Sequence, residues 1–365
     1  MIVSLFASPS YLRKDLPQGW PVPPKHWDPE LGTESMDRAF EVYDIAHDVG
    51  FDWLCVAEHH YFSSLLGPNP MLVASALARR YDDVKIAVLG AVLPQVNPVR
   101  VAEEFATIDA MSGGRLVAGM FRGLPNEYLA YGTNPREARE MFDEAFELII
   151  RAWTEPEPFW WEGRHYRFPI VSIWPRPVQQ PRPPIVSSGT SPASAAFAGR
   201  HGLKLGLSLV VPPDKCAELV QVYREAAADA GWEPTREDVL YRGRVYVAET
   251  DAQAEADARE YELGDFIGPL APPPERADSQ KRIMAGMFGP PPPGGARGHK
   301  PPGKGTMPEY YGSPDTVARQ IRERSEQIGY GILDYAFDAF HLPHDKAVRS
   351  LELFGREVLP RLKSL

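Results

Sequence analysis

The sequence predicts an α/β fold, a closed (β/α)8 barrel of the TIM type with insertions. Three observations predict it. Eight short apolar runs alternate with helical segments along the chain. The runs are apolar throughout rather than at every second residue, as strands buried on both faces are. Five of the intervening helices open on one repeated signal, a capping side chain followed by proline.

The elements follow in order. Met1–Ala7 reads as the first strand. Ser35–Val49 sets Met36, Phe40, Tyr43, Ala46 and Val49 at helical spacing, and Gly50 stops the helix. Trp53–Ala57, Val84–Leu93, Arg115–Met120, Pro184–Ser187, Leu203–Leu209, Val239–Ala248 and Ile332–Phe337 supply the other seven strands. Asn69-Pro70, Asn97-Pro98, Asn134-Pro135, Ser191-Pro192 and Ser313-Pro314 mark helix starts, where the cap accepts a backbone N–H and proline loses no needed donor. Strand–helix–strand order implies parallel strands with right-handed crossovers. A doubly wound open sheet is the alternative, and the absence of GxGxxG after the first strand weighs against it.

Two stretches interrupt the rhythm. Glu155–Pro183 is rich in Trp and Pro and reads as an excursion between barrel units. Phe266–Pro308 carries three proline-rich clusters and follows the seventh strand and its helix. It reads as a lid, or as a surface loop without a role. The whole chain, 1–365, is read as one domain.

Composition narrows the function classes. The net charge of -10 argues against nucleic acid, which needs a basic surface. Cys55 and Cys216 are too few for a disulfide framework and fit a reducing compartment. No basic, apolar leader precedes Ser8, and no apolar run reaches the ~18 residues of a membrane span. A cytoplasmic protein is expected.

In such a barrel the chemistry sits at the carboxyl ends of the strands. The fifth strand ends at Ser188-Gly189-Thr190-Ser191 and leads straight into a helix start, a turn suited to an anion and also to a plain cap. Arg122, at the end of the fourth strand, can add a bidentate charged contact. Glu58-His59-His60 end the second strand. One histidine could face the mouth as a general base, or both could be structural. No HxH or HExxH spacing supports a metal. Phe6, Tyr61, Phe121 and Trp174 are aromatic residues expected near the mouth, and the sixth strand ends near Ser208.

These residues carry a resemblance. Phe51-Asp52, Ala57-Glu58-His59-His60-Tyr61 and Leu65-Leu66-Gly67 before Asn69-Pro70 resemble the bacterial luciferase-like flavin monooxygenases. So do Val92-Leu93-Pro94, Asn97-Pro98-Val99-Arg100 and Met111-Ser112-Gly113-Gly114-Arg115. Gly119-Met120-Phe121-Arg122-Gly123 and Gly312-Ser313-Pro314 are similar too, so the resemblance spans nearly the whole chain.

The resemblance implies reduced FMN bound at the strands' carboxyl ends. It implies that His59 is the catalytic histidine, that Arg122 contacts the phosphate and that Ser188, Gly189, Thr190 and Ser191 form the phosphate turn. Glu58, Leu89, Gly90 and Phe121 join the cofactor contacts, with a non-proline cis peptide expected at Leu89-Gly90. Phe6, Tyr61, Phe121 and Ser208, by their places near the barrel mouth, are expected on the substrate side, and by the resemblance 266–308 takes the place of the family's lid. Phe121 stands where luciferases have a reactive cysteine, and Ser188 where they have a glutamate. Both departures point away from light emission and leave flavin binding intact.

The function expected is oxygenation of a small, apolar organic substrate through a flavin peroxide, with reduced FMN supplied by a separate flavin reductase. A homodimer is implied, packed through helices near Ser35–Val49 and Met71–Tyr81. The alternatives are a deazaflavin-dependent hydride-transfer enzyme, a non-catalytic flavin-binding protein and a metal-dependent hydrolase.

Overall fold

The computed structural model describes residues 1–12, 16, 20–63, 65–208, 211–263, 282, 285–287, 307–337 and 342–364. Eight strands form a closed parallel barrel: β1 (Ile2–Phe6), β2 (Trp53–Val56), β3 (Lys85–Val92), β4 (Leu116–Phe121), β7 (Ile185–Ser188), β8 (Lys204–Leu207), β9 (Val239–Val247) and β11 (Ile332–Ala336). β8 pairs with β9, β9 with β11 and β11 with β1, which closes the ring. These are the eight expected runs; Leu209, at the end of the sixth, lies outside the described residues.

The strands divide their side chains by alternation. Phe6, Trp53, Cys55, Ala87, Val117, Val186, Leu240 and Ile332 fill the interior, while Leu5, Leu54, Ile86, Leu116, Ile185 and Leu333 pack outward under the helices. Both faces are apolar, which is why the runs show no polar alternation.

Helices follow the strands: α1 (Pro29–Asp48), α2 (Pro70–Arg80), α3 (Pro98–Ser112), α4 (Pro125–Tyr131), α5 (Ala138–Thr154), α6 (Pro192–Arg200), α7 (Pro213–Asp229) and α8 (Asp251–Glu260). The short strand β10 (Tyr310–Gly312) adds to β9, and α9 (Pro314–Ile328) leads into β11. α10 (His344–Leu353), a π-turn at 354–358 and α11 (Leu359–Lys363) end the chain.

The cap signals behave unequally. The side chains of Asn69, Asn97 and Ser191 each accept from backbone N–H groups of the first turn. Asn134 does so one turn ahead of α5, through Arg136 N–H at 3.1 Å. Ser313 does not cap α9; its own N–H donates to Asp251 at 2.7 Å instead. α1 begins at Pro29 rather than Ser35, capped by Asp28 through Glu30 and Leu31 N–H groups.

The excursion between α5 and β7 is an antiparallel hairpin, β5 (Phe159–Glu162) with β6 (Arg167–Val171). It feeds the amino end of β7, so it belongs to the end of the barrel opposite the cavity described below. Gln179 anchors it there, donating to Asp109 at 2.7 Å and to the carbonyl of Leu116, the first residue of β4, at 2.9 Å. Trp174 therefore does not stand near the mouth; it lies on this connection and is 86% exposed. The expected lid at 266–308 lies outside the described residues, apart from 282, 285–287, 307 and 308. Among the described residues no helix is long and apolar enough to cross a membrane.

Candidate active site

A cavity opens at the carboxyl ends of the strands. Its lining takes Glu58 and His59 after β2, Leu89, Gly90 and Val92 from β3, Phe121 and Arg122 from the end of β4, and Ser187 and Ser188 from β7. Thr190, Ser194, Ser208, Leu240 and Arg242 continue it around the barrel. The barrel thus brings Glu58, His59, Leu89, Gly90, Phe121, Arg122, Ser188, Thr190 and Ser208 together from positions 150 residues apart.

One end of the cavity suits an anion. Ser188, Thr190 and Ser194 present hydroxyls at the start of α6, and Arg122 lines the same cavity. Ser191 has another task. Its Oγ accepts the Ser194 N–H at 3.3 Å, while Ser194 Oγ accepts the Ser191 N–H at 3.0 Å. This reciprocal cap engages both side chains, and of the two only Ser194 lines the cavity. Gly189 is required by close packing: a Cβ there would stand 2.3 Å from Leu205 Cδ1. Arg139, on α5, also lines the cavity, tied to Asp143 at 2.9 Å and lying 5.2 Å over the Phe197 ring. It is a second cation at this end that the sequence did not single out.

Between the ends the walls are apolar and close to backbone. The Leu89–Gly90 peptide is cis, as expected. Gly90 faces Gly119 of β4 so closely that a Cβ on Gly119 would meet Val88 O at 2.2 Å, and one on Gly90 would meet Gly119 O at 2.7 Å. The β3–β4 register shifts at this point, between Val88 and Ala91. Two glycines let the strands approach and leave a flat surface, with Met120, Val186, Leu207 and Leu240 around it.

At the other end His59 is held by a residue the sequence did not single out. His59 Nδ1 lies 2.8 Å from Glu127 Oε1, on α4. Glu127 is 1% exposed, and its other oxygen accepts the Leu124 N–H at 2.9 Å. The carboxylate accepts from Nδ1–H, which leaves Nε2 as the ring nitrogen the pair does not use. His60 is paired differently. Its Nε2 lies 3.0 Å from Glu58 Oε1, and Glu58 Oε2 accepts the Val92 N–H at 2.8 Å. Glu58 lines the cavity, but both its oxygens are engaged, Oε1 with His60 and Oε2 with Val92 of β3.

The remaining residues are scattered around this core. Tyr61 is 54% exposed and donates to Ala130 O at 3.4 Å, outside the lining. Phe6 is buried on the barrel interior under Arg242, whose guanidinium carbon lies 3.5 Å from its ring centre. Cys55 and Cys216 are free and buried. Burial pushes the Cys55 thiol well up, so it is a small apolar filler.

The residues present fit a ligand with an anionic end and a flat ring: hydroxyls and two arginines for the first, a glycine-lined wall for the second. Fold and cavity together make the chain an α/β barrel with a ligand site at the carboxyl ends of its strands. It belongs to the luciferase-like monooxygenase family, whose model matches residues 17–330.

The oxygenase component of the flavin-dependent trigonelline monooxygenase of Acinetobacter baylyi is 26% identical over 236 residues, 64% of this chain and 65% of that protein. The alkanal monooxygenase alpha chain of Photorhabdus luminescens is 29% identical over 200 residues, 54% of this chain and 55% of that one. The matched region thus spans between about half and two thirds of these relatives. Among solved structures, the monooxygenase RslO1 of Streptomyces bottropensis superposes with a TM-score of 0.75 at 24% identity, covering 99% of each chain. The oxygenating constituent of 3,6-diketocamphane monooxygenase of Pseudomonas putida, in complex with FMN, gives 0.71 at 22% identity, covering 99% of this chain and 98% of that one. An F420-dependent secondary alcohol dehydrogenase gives 0.69 at 18% identity, with the same coverage. At these identities the structures show the fold alone.

Proposed function

We propose that the chain is the oxygenase component of a two-component monooxygenase. It takes reduced FMN from a separate flavin reductase and uses oxygen on a small, largely apolar organic molecule. One oxygen atom enters the substrate, the other leaves as water, and reduced FMN supplies the two electrons. The observation that carries this reading is a single cavity with an arginine and hydroxyl end, a glycine-lined wall and a carboxylate-held histidine.

The chain's own residues have distinct work in it. Arg122, Arg139, Ser188, Thr190 and Ser194 would hold the phosphate, with the arginines giving charge-assisted contacts. Leu89, Gly90, Val186 and Leu240 would support the ring and exclude water. His59 holds or moves a proton at Nε2, and Glu127 fixes its tautomer and orientation. Phe121 and Ser208, which line the cavity, would border the substrate, with Phe6 behind Arg242 and Tyr61 at the rim.

We also place a second copy of the chain against α1 and α2, where Leu72 is 71% exposed, and the assembly in the cytoplasm. The test of function is oxygen uptake with reduced FMN across a panel of small ketones, aldehydes and terpenes. Substrate-dependent product carrying one atom of labelled oxygen supports the reading. Hydride transfer to or from a deazaflavin, without oxygen uptake, would replace it.

A further inference from the structure

The barrel interior carries a set of polar groups for which the proposed function has no use. Ser4 of β1, Asp334 of β11 and Arg242 of β9 are register neighbours: Ser4 pairs with Asp334, and Asp334 with Arg242. Ser4 and Asp334 are wholly buried, and the Arg242 side chain is 16% exposed. Arg242 Nε donates to Asp334 Oδ2 at 2.7 Å. The guanidinium lies against the Phe6 ring at 3.5 Å and places Nη2 4.0 Å from Cys55 Sγ.

Two features give this set a direction. Asp334 Oδ1 and Ser4 Oγ are buried with no hydrogen-bond partner among the described residues, so the polar layer under the arginine is only partly satisfied. A buried ion pair costs desolvation that a pair of apolar residues would avoid, so its retention asks for a function. Arg242 lines the cavity, whereas Asp334 does not. The pair is therefore a fixed dipole with its positive end towards the cavity, in surroundings where such a charge is weakly screened.

Of the two other cavity cations assigned to the phosphate, Arg139 lies over Phe197 of α6, the helix that Ser194 begins, and Arg122 at the end of β4 approaches Tyr128 of α4. Arg242 sits on the interior wall instead, beside Leu240, and touches residues of β1, β2 and β11. Oxidised FMN carries no charge on its ring. The two-electron-reduced ring, in its anionic form, carries one.

We propose that Arg242, anchored by Asp334, makes the cavity prefer the reduced, anionic flavin ring over the oxidised one. The inference rests on the FMN reading and adds to it the residue that sets redox selectivity. Asp334 is a positioning residue: it fixes the guanidinium and tempers its charge. An oxygenase that receives reduced FMN from another protein must hold that state and release the oxidised one, and a cation at the ring does both.

The experiment measures the dissociation constants of oxidised FMN in air and of reduced FMN under anaerobic conditions. The proteins are the full chain, Arg242→Met, Asp334→Asn and the double variant, which leaves no stranded buried charge. The full chain should bind reduced FMN more tightly. Arg242→Met and the double variant should lose that preference by about tenfold or more, which lowers the midpoint potential of bound FMN by about 30 mV per tenfold. Asp334→Asn should shift the ratio the other way, because the guanidinium then faces the ring without its counter-charge. Equal loss of affinity for both states, with the ratio unchanged, would overturn the proposal while leaving the FMN site standing. Binding of neither state by the full chain would overturn the FMN reading and this inference with it.

Discussion

His59 Nδ1 lies 2.8 Å from Glu127 Oε1, although the two residues are 68 positions apart in the chain. His59 comes from the end of β2 and Glu127 from the first turn of α4, and barrel closure sets them side by side. Glu127→Gln should therefore lower turnover about 10- to 100-fold while FMN affinity stays within about threefold. Turnover set against stability is the diagnostic comparison. Turnover should fall in Glu127→Gln while stability by denaturant unfolding moves by less than about 1 kcal/mol. A turnover loss no larger than the loss of folded protein would mean that Glu127 serves only to hold Leu124.

The two arginines at the anion end give a separate expectation. Arg122→Ala and Arg139→Ala should each weaken FMN binding about 10- to 100-fold, the range of a charge-assisted contact. Riboflavin, which lacks the phosphate, should bind the full chain and both variants alike. Equal weakening of riboflavin would show that the arginines shape the cavity rather than contact the phosphate.

Gly119 is a test of the flat wall. A Cβ there would meet Val88 O at 2.2 Å and Leu89 Cα at 2.8 Å, and both are backbone that cannot swing away. Gly119→Ala should cost about 2–4 kcal/mol of stability by denaturant unfolding. It should also weaken FMN binding, since β3 must move. An unchanged midpoint would contradict the close approach of these strands.

Much of this architecture was legible in the sequence, and the reasons are physical. Runs such as Lys85–Val92 and Ile332–Ala336 are buried on both faces, so composition alone marks them as strands. The family motifs led to His59, Arg122 and Ser188, which line one cavity. Glu127 was not legible: a glutamate in Pro125-Asn126-Glu127-Tyr128 looks like any first-turn acid. Its partner is set by closure of the barrel. The start of α1 is legible as well, since Asp28-Pro29 repeats the cap–proline signal of Asn69 and Asn97. Arg242 and Asp334 also left a trace, as charged residues within mostly apolar strands. Trp174 was misplaced because composition marks an aromatic residue but not which end of the barrel it occupies.

Stability should depend on pH through Asp257. Burial pushes its carboxyl up, but hydrogen bonds from Lys346, Tyr246 and Gln253 outweigh that and hold it below the usual carboxylate range. Its contribution is thus present above the unfolded-state value of about 3.9 and is lost as pH falls through the lower folded value. Asp257→Asn should destabilise by about 1–2 kcal/mol at pH 7, with the gap from wild type closing below about pH 4. A gap of constant size across that range would assign the effect to packing instead.

The most direct test of the central claim is anaerobic titration of the full chain with reduced FMN, read by protein fluorescence, beside the same titration of Arg122→Ala and of the chain with deazaflavin. The account predicts saturable binding of one FMN per chain, weakened in Arg122→Ala, with deazaflavin binding more weakly. Absence of reduced-FMN binding, or tighter binding of the deazaflavin, would contradict it.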